Sequence, residues 1–253
     1  MFPLNNYSGS CWVNACLQSL YRIPDVQKRY SHTEFAPEND IDKSLRKIWE
    51  TQGREGLKEF FETVRTATMP AGRGIGDSHE LFQYLCDKLK YLDNLIRFKV
   101  ADSIQCKSCK HKELKEDTII ELSIVNDGRP QNLIESIAEM MKPAEIDSWK
   151  CEKCNEKGCS KQQLIGSFPR VLMFHKTSIA GKINYSSILE VNKQKYALLA
   201  VTCFTGGHWF AFGRNGHTSS WYTLDDTRIV DHGPNKFPLA STMKLLVYYR
   251  LDE

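Results

Sequence analysis

Residues 6–20 read NYSGSCWVNACLQSL, and the arrangement of the rest of the chain follows from this stretch. Ser8, Gly9 and Ser10 make a small polar turn. Trp12, Cys16, Leu20 and Ile23 then recur near helical spacing, with Val13 and Leu17 beside them, until Pro24 stops the helix. Cys11 therefore stands at a helix head, where unpaired backbone N–H groups and the helix dipole favour a thiolate over a thiol. The same N–H groups can bind the oxyanion formed when a thiolate attacks a carbonyl. A lone cysteine is more often a buried structural residue than a nucleophile, and at this point both readings stand.

Working outward, Ile41, Leu45, Ile48 and Trp49 suggest a second helix, and a third covers about 57–66. Breakers in MPAGRGIG (69–76) follow, and Asp77 or Ser78 then caps a helix carrying Leu81, Leu85 and Leu89. The first 95 residues are mainly helical, and the character changes after Ile96. TIIELSIV (118–125) looks like a strand, 133–141 like a short helix and 170–175 like a buried strand. Segments 196–204, 208–214 and 221–225 read as consecutive antiparallel strands, with Asn215-Gly216 a turn signal between the last two. A final strand covers 245–250. The expected class is α+β.

Composition narrows the function. The 253 residues are 41% hydrophobic, enough for one large domain or two small ones, and exclude disorder as a global description. A net charge of +3 is a poor argument for a nucleic-acid protein, where a concentrated basic stripe is expected. The longest stretch free of charged residues, 196–213, holds Gly206, Gly207 and His208 and reads as two strands, so no membrane span is expected. The opening MFPLNNYSGS lacks the basic start and apolar run of a secretion signal. Nine cysteines, an odd number, argue against a disulfide framework and for a reducing intracellular compartment, cytoplasmic or nuclear.

Three further residues bear on Cys11. His208 follows Gly206-Gly207 at the start of an aromatic strand, where a substrate backbone has room to pass; a surface histidine in a turn fits equally well. Asp225-Asp226 ends a strand that the hairpin folds back beside His208, so an aspartate there could accept the imidazole Nδ1–H, or simply form an acidic turn. Asn6, five residues before Cys11, could turn its amide back as an oxyanion donor, or form an Asx-turn. Separately, C-x2-C-x41-C-x2-C (Cys106, Cys109, Cys151, Cys154) supplies four soft ligands from two tight turns, the requirement of one structural zinc ion. Cys159 and His111 rank below these four as ligands. Nucleic-acid binding by such a ribbon is disfavoured, because Glu113, Glu116, Asp117, Glu152 and Glu156 interrupt the lysines and no aromatic is interleaved. Cys16, Cys86 and Cys203 are expected in the core.

Together these motifs resemble the ubiquitin-specific protease family, papain-like cysteine isopeptidases. The family's N-terminal box, roughly N-x-G-N-T-C-[FW]-x-N-[SA]-x-[LM]-Q, is matched at Asn6, Cys11, Trp12, Asn14, Ala15, Leu17 and Gln18. GGHWFAFGRN and WYTLDD fit the C-terminal box, with Trp209 in place of the usual Tyr. Gly76-Asp77-Ser78-His79-Glu80-Leu81 resembles Q-[DE]-[AS]-[HQ]-E-[FL] without its leading Gln. The chain departs from the pattern where Met173-Phe174-His175-Lys176-Thr177 replaces an H-L-K-R-F-like end, where Phe204 stands for a common His, and in its short loop before His208.

The resemblance implies a single catalytic domain over 1–253, with a helical thumb (1–95), zinc-ribbon β fingers (96–168) and a β-rich palm (169–253). It implies Cys11 as nucleophile, His208 as general base, Asp225 as the acid that orients the imidazole, Asn6 as oxyanion donor and Asp226 as an assisting acid. Asp77 and Glu80 would lie in the cleft that receives the arginine-bearing ubiquitin tail, although a helix cap and a first-turn acid explain them as well. The implied activity is a monomeric, thiol-dependent deubiquitinase cutting after the C-terminal glycine of ubiquitin, with no nucleic-acid or membrane partner. Specificity for another ubiquitin-like modifier, and a catalytically silent ubiquitin-binding scaffold, are the alternatives.

Overall fold

Helix α1 (Cys11–Leu20) lies inside the molecule with all ten of its residues buried. The computed structural model describes residues 1–69, 74–125, 131–178, 181–234 and 236–252; part of the breaker run, 70–73, lies outside the described residues. The helical layer that shares one core with α1 comprises α2 (Pro24–Ser31), α3 (Asp40–Glu50), α4 (Leu57–Thr68), α5 (Ser78–Lys88) and α6 (Lys90–Ile96). Pro24 does more than stop the first helix. It opens α2 at the first position, where its missing N–H has no partner to lose. Asp77 caps α5 by accepting from the His79 N–H, and Gly76 lies so close to Trp12 that a Cβ there would meet the indole at 2.5 Å. That contact, with the Ser78 Oγ bond to the Trp12 carbonyl at 2.6 Å, docks α5 on α1.

The chain continues through β1 (Phe98–Cys106), β2 (Lys112–Ile119), β3 (Leu122–Ile124), β4 (Gln131–Asn132), α7 (Leu133–Met140), β5 (Ala144–Lys150) and β6 (Lys157–Ile165). It then forms β7 (Val171–Lys176), β8 (Ile183–Asn184), β9 (Ile188–Val191), β10 (Gln194–Phe204), β11 (Trp209–Arg214), β12 (Trp221–Asp225), β13 (Arg228–Gly233) and β14 (Met243–Arg250). The larger sheet runs β13-β12-β11-β10-β14-β7-β3, with β9 also on β10, and all its pairs are antiparallel except β3–β7. A separate four-stranded sheet runs β2-β1-β6-β5, and β4 pairs with β8.

Both faces of the larger sheet are covered, and strand alternation splits its residues between two cores. Val171 and Met173 of β7, with Leu245 and Val247 of β14, face α1 and the helical layer. Leu172 and Phe174, with Leu246 and Tyr248, face α7, β3 and the base of β1. This is why VLMF and LLVYY read as unbroken apolar runs.

The stretch 118–125 is not one strand. β2 ends at Ile119 in the four-stranded sheet, and β3 begins at Leu122 in the larger one, so the chain changes sheets across Ile120–Glu121. Segment 96–168 accordingly contains β3 and α7, both packed in the second core beside the larger sheet. The hairpin after β11 forms, but by a longer loop than Asn-Gly suggests. Asn215 accepts from the His217 N–H at 2.9 Å, and Gly216 does not adopt a left-handed φ. All nine cysteines are free, and Cys16, Cys86, Cys159 and Cys203 are buried. Among the described residues no helix is long and apolar enough to cross a membrane.

Leu17, fully buried between the layers, tests this packing. Leu17→Ala lowers the unfolding free energy by about 2–5 kcal/mol in urea denaturation; a loss under about 1 kcal/mol is incompatible with a helix enclosed on all sides.

Candidate active site and metal centre

The turn into α1 is built by consecutive left-handed residues, Ser8 (φ 52) and Gly9 (φ 100), a conformation that glycine takes without steric cost. It folds over the Asn6 side chain, whose Oδ1 accepts from the Gly9 and Ser10 N–H groups at 3.0 Å each. Ser10 Oγ accepts from the Tyr7 N–H at 2.8 Å. The Asx-turn reading of Asn6 therefore holds for its oxygen. Its Nδ2 donates to Asp226 Oδ2 at 2.8 Å, and since an amide nitrogen carries two hydrogens, one N–H is left for another acceptor.

Cys11 is the first residue of α1, and only 3% of it is exposed. Burial pushes its thiol above the usual range, opposed by the backbone N–H of Trp209 and reinforced by the charge of Asp226. The helix head therefore does not lower this thiol on balance, as its position in sequence suggested, because desolvation of the charged form outweighs the favourable dipoles. The Trp209 contact also sets the sulfur beside the strand that follows His208.

His208 and Asp225 share a face. The register Ala211↔Leu224 continues to set Asp225 opposite Phe210, and His208 lies two residues before it on the same side. The His208 Nε2 meets Asp225 Oδ1 at 2.6 Å. The imidazole thus turns Nε2, not Nδ1, to the aspartate. A proton held there leaves Nδ1 free as a base.

Asp226 stands at φ 53, a conformation unusual for a non-glycine residue. Its backbone oxygen accepts from the Leu4 N–H at 3.0 Å, and its carboxylate bridges Asn6 and Asn14. Asp226 therefore faces the N-terminal segment, while Asp225 contacts the imidazole. Asn14 is a site neighbour that helical periodicity alone conceals, because on α1 it counts as one more buried residue.

Asp77 is half-buried and spends its side chain as the α5 cap, and Glu80 is exposed in the first turn. Next to them is a cluster with no counterpart in the sequence reading. The His79 Nε2 meets both Glu121 oxygens at 2.5 and 2.6 Å, and His175 stacks on His79 with ring centroids 3.6 Å apart. Burial, with His79 alongside, holds the His175 imidazole down to about 4, so it is neutral at physiological pH. The ligand atoms of His79, Glu121 and His175 all lie within 4.8 Å of one another.

The paired cysteines converge. Cys106 Sγ lies 3.7 Å from Cys154 Sγ, Cys109 Sγ lies 3.8 Å from Cys151 Sγ, and all four sulfurs fall within 4.8 Å of one another. Ligands at about 2.3 Å around a tetrahedral ion are spaced by about 3.8 Å, so the cluster fits a four-thiolate metal site. The two turns are equivalent. Each first cysteine N–H donates to the carbonyl five residues on, at 2.9 Å, and each second cysteine precedes a left-handed residue, Lys110 or Asn155. The backbone N–H groups of Cys109 and Ser108 lower the Cys106 thiol, while the neighbouring sulfurs raise that of Cys154, as expected where thiols crowd together. Cys159 pairs with Cys106 in strand register but is not one of the four, and neither is His111.

This frame is shared with solved structures. A chain of the SAGA DUB module Ubp8/Sgf11/Sus1/Sgf73 bound to monoubiquitin matches with a TM-score of 0.82 at 17% identity, over 100% of this chain and 69% of that one. The same module bound to ubiquitin aldehyde matches with a TM-score of 0.78 at 16% identity, covering 100% and 70%. The fold is that of a ubiquitin-specific protease catalytic domain, α+β and papain-like. A sequence profile described as ubiquitin carboxyl-terminal hydrolase matches residues 2–248, and the chain belongs to that family. Among similar curated proteins are ubiquitin carboxyl-terminal hydrolase 23 of Arabidopsis thaliana, 22% identical over 75% of this chain and 24% of that protein. Ubiquitin carboxyl-terminal hydrolase 48 of Danio rerio is 26% identical over 89% of this chain and 27% of that protein. The chain spans about a quarter of the length of these relatives.

A thiol raised by burial reacts faster as pH rises, because only the thiolate attacks. Iodoacetamide alkylation of Cys11 should still be climbing above about pH 8.5, the midpoint of an ordinary cysteine. A rate already flat at neutral pH would show that the thiolate is stable at rest.

Proposed function

We propose that this chain is a thiol-dependent isopeptidase that removes ubiquitin from conjugated proteins. The observation that carries the reading is the His208–Asp225 pair at 2.6 Å, beside a helix-head thiol in a fold shared with ubiquitin-bound enzymes. His208 Nδ1 takes the Cys11 proton as the sulfur attacks the carbonyl carbon of the modifier's C-terminal glycine. The oxyanion is met by the remaining Asn6 N–H and by backbone N–H groups at the head of α1. His208 then passes its proton to the departing lysine amine as the C–N bond breaks, leaving a thioester. Water adds to the thioester with His208 again as base, releasing the ubiquitin carboxylate and restoring the thiol.

Cys106, Cys109, Cys151 and Cys154 would hold one zinc ion, which would serve a structural role by linking the β1–β2 turn to the β5–β6 turn. Asp77 and Glu80 provide negative charge near the path of a basic tail. A thiol nucleophile and thiolate ligands suit an enzyme of a reducing compartment, the cytoplasm or nucleus.

Ubiquitin carrying a C-terminal electrophile should form a covalent adduct with the protein, and Cys11→Ala should abolish it. His208→Ala should lower turnover of a fluorogenic ubiquitin substrate by about 10²–10⁴-fold. Labelling that persists in Cys11→Ala, or preference for a different ubiquitin-like probe, overturns the assignment. Metal analysis should give close to one zinc per chain, lost in Cys106→Ser. Retention of a full equivalent in that variant would place the metal elsewhere.

A further inference from the structure

Asn14 is buried to 2% exposure, one turn along α1 from Cys11. Its Nδ2 faces three acceptors: Asp226 Oδ1 at 2.7 Å, the Asn5 carbonyl at 3.1 Å and the Leu4 carbonyl at 3.4 Å. Turning the amide over would set its oxygen against all three, so the orientation is fixed. Asn14 Oδ1 has no hydrogen-bond partner among the described residues. A buried oxygen left unpaired is unfavourable, and a position needing only volume would be better filled by an apolar side chain. What this position supplies is the N–H.

We propose that Asn14 is a positioning residue for the oxyanion donor: from α1 it fixes the Asp226 carboxylate, which in turn fixes the amide of Asn6. The inference rests on the hydrolase reading above and deepens it. The Asp226 oxygens are divided between the two amides, Oδ1 to Asn14 and Oδ2 to Asn6. Asp226 lies with Asp225 and His208 in a cluster whose polar atoms are within 4.8 Å of one another. Without Asn14, one carboxylate oxygen would face the Leu4 and Asn5 carbonyls and the neighbouring Asp225 with no donor, and the group would rotate away. Asn6 would keep the two bonds to its oxygen, but nothing would then decide which N–H is spent and where the other points. Because Asn14 and Cys11 ride on the same buried helix, the donor is held in register with the nucleophile.

The test is a double-mutant cycle with hydrolysis and alkylation measured together. Asn6→Ala should lower kcat on a fluorogenic ubiquitin substrate by about 10²–10³-fold. Asn14→Ala should lower it by about 10–100-fold, the effect of a misplaced group, with KM unchanged. Iodoacetamide alkylation of Cys11 forms no oxyanion and should not be slowed. The Asn6/Asn14 double variant should be no slower than Asn6→Ala. Losses that multiply in the double variant, an unaltered kcat in Asn14→Ala, or alkylation slowed in parallel with hydrolysis would each overturn the proposal. Independently of activity, the two Asn6 side-chain amide protons should be well separated in the NMR spectrum of the native protein and move together in Asn14→Ala. If the native chain hydrolyses no ubiquitin substrate, the functional reading fails, while unchanged Asn6 resonances in Asn14→Ala refute the coupling itself. Should Asn14→Ala not fold, Asn14→Gln, which keeps the amide but displaces it by one methylene, carries the same measurements.

Discussion

A helix buried on every face has no water for its polar side chains, and α1 pairs their donors by hydrogen-bonding the chain's own N-terminal segment, leaving Asn14 Oδ1 and Gln18 Oε1 without partners among the described residues. Gln18 donates to the Phe2 carbonyl at 2.8 Å, Asn14 to the Leu4 and Asn5 carbonyls, and Ser19 pairs with Thr202 of β10 at 2.9 Å. These bonds lay residues 2–6 along the helix. The Leu4 N–H then reaches the Asp226 carbonyl, joining the segment to the turn after β12. Cys11, the Asn6 amide beside it and the aspartates of the hairpin come from chain segments more than two hundred residues apart. Their relative placement follows from how one helix pairs its buried donors.

The same burial shapes the chemistry. An enclosed thiol resists ionisation, so on the proposed mechanism the nucleophile is made during attack rather than stored as a resting thiolate, and the orientation of His208 matters more than the dipole of α1. The four-stranded sheet follows different physics. β2 is almost wholly exposed along its length and β5 nearly so, so that layer has little apolar burial to draw on. Cross-strand hydrogen bonds and the four-cysteine cluster at its tip are what it has instead. A metal there would add free energy that the side chains do not provide.

The helical first part, the strands from β10 to β12 and the paired cysteines were legible in the sequence because each leaves a strong local mark: apolar periodicity, an aromatic run ending in two aspartates, a doubled C-x2-C. β2, β5 and β6 escaped because strands without a continuous buried face show no clean alternation, whereas β1 does alternate, with Phe98, Val100, Ile104 and Cys106 buried, but Asp102 breaks the apolar series in sequence. The strand assigned over 118–125 merged two elements, since Ile119, Ile120 and Leu122 are equally apolar although the chain changes sheets between them. α2 was hidden by reading Pro24 as an end, when proline serves equally well at a beginning. The residues of the proposed site could be named from the sequence, but their bonding could not. That Asp226 turns to two asparagines, and that His79, Glu121 and His175 meet, depends on three-dimensional placement with no local signature.

The position of β14 has a consequence for biosynthesis. It lies between β10 and β7 in the larger sheet, yet it is the last of those strands to leave the ribosome. Until residues 243–250 emerge, the hairpin carrying His208 and Asp225 is not joined through the sheet to β7 and β3. A nascent chain can form its helices and pair neighbouring strands early, but the centre of the sheet is filled late, by contacts far apart in sequence. The protein thus passes through a stage in which every proposed catalytic residue has been synthesised and the frame that holds them together is still open.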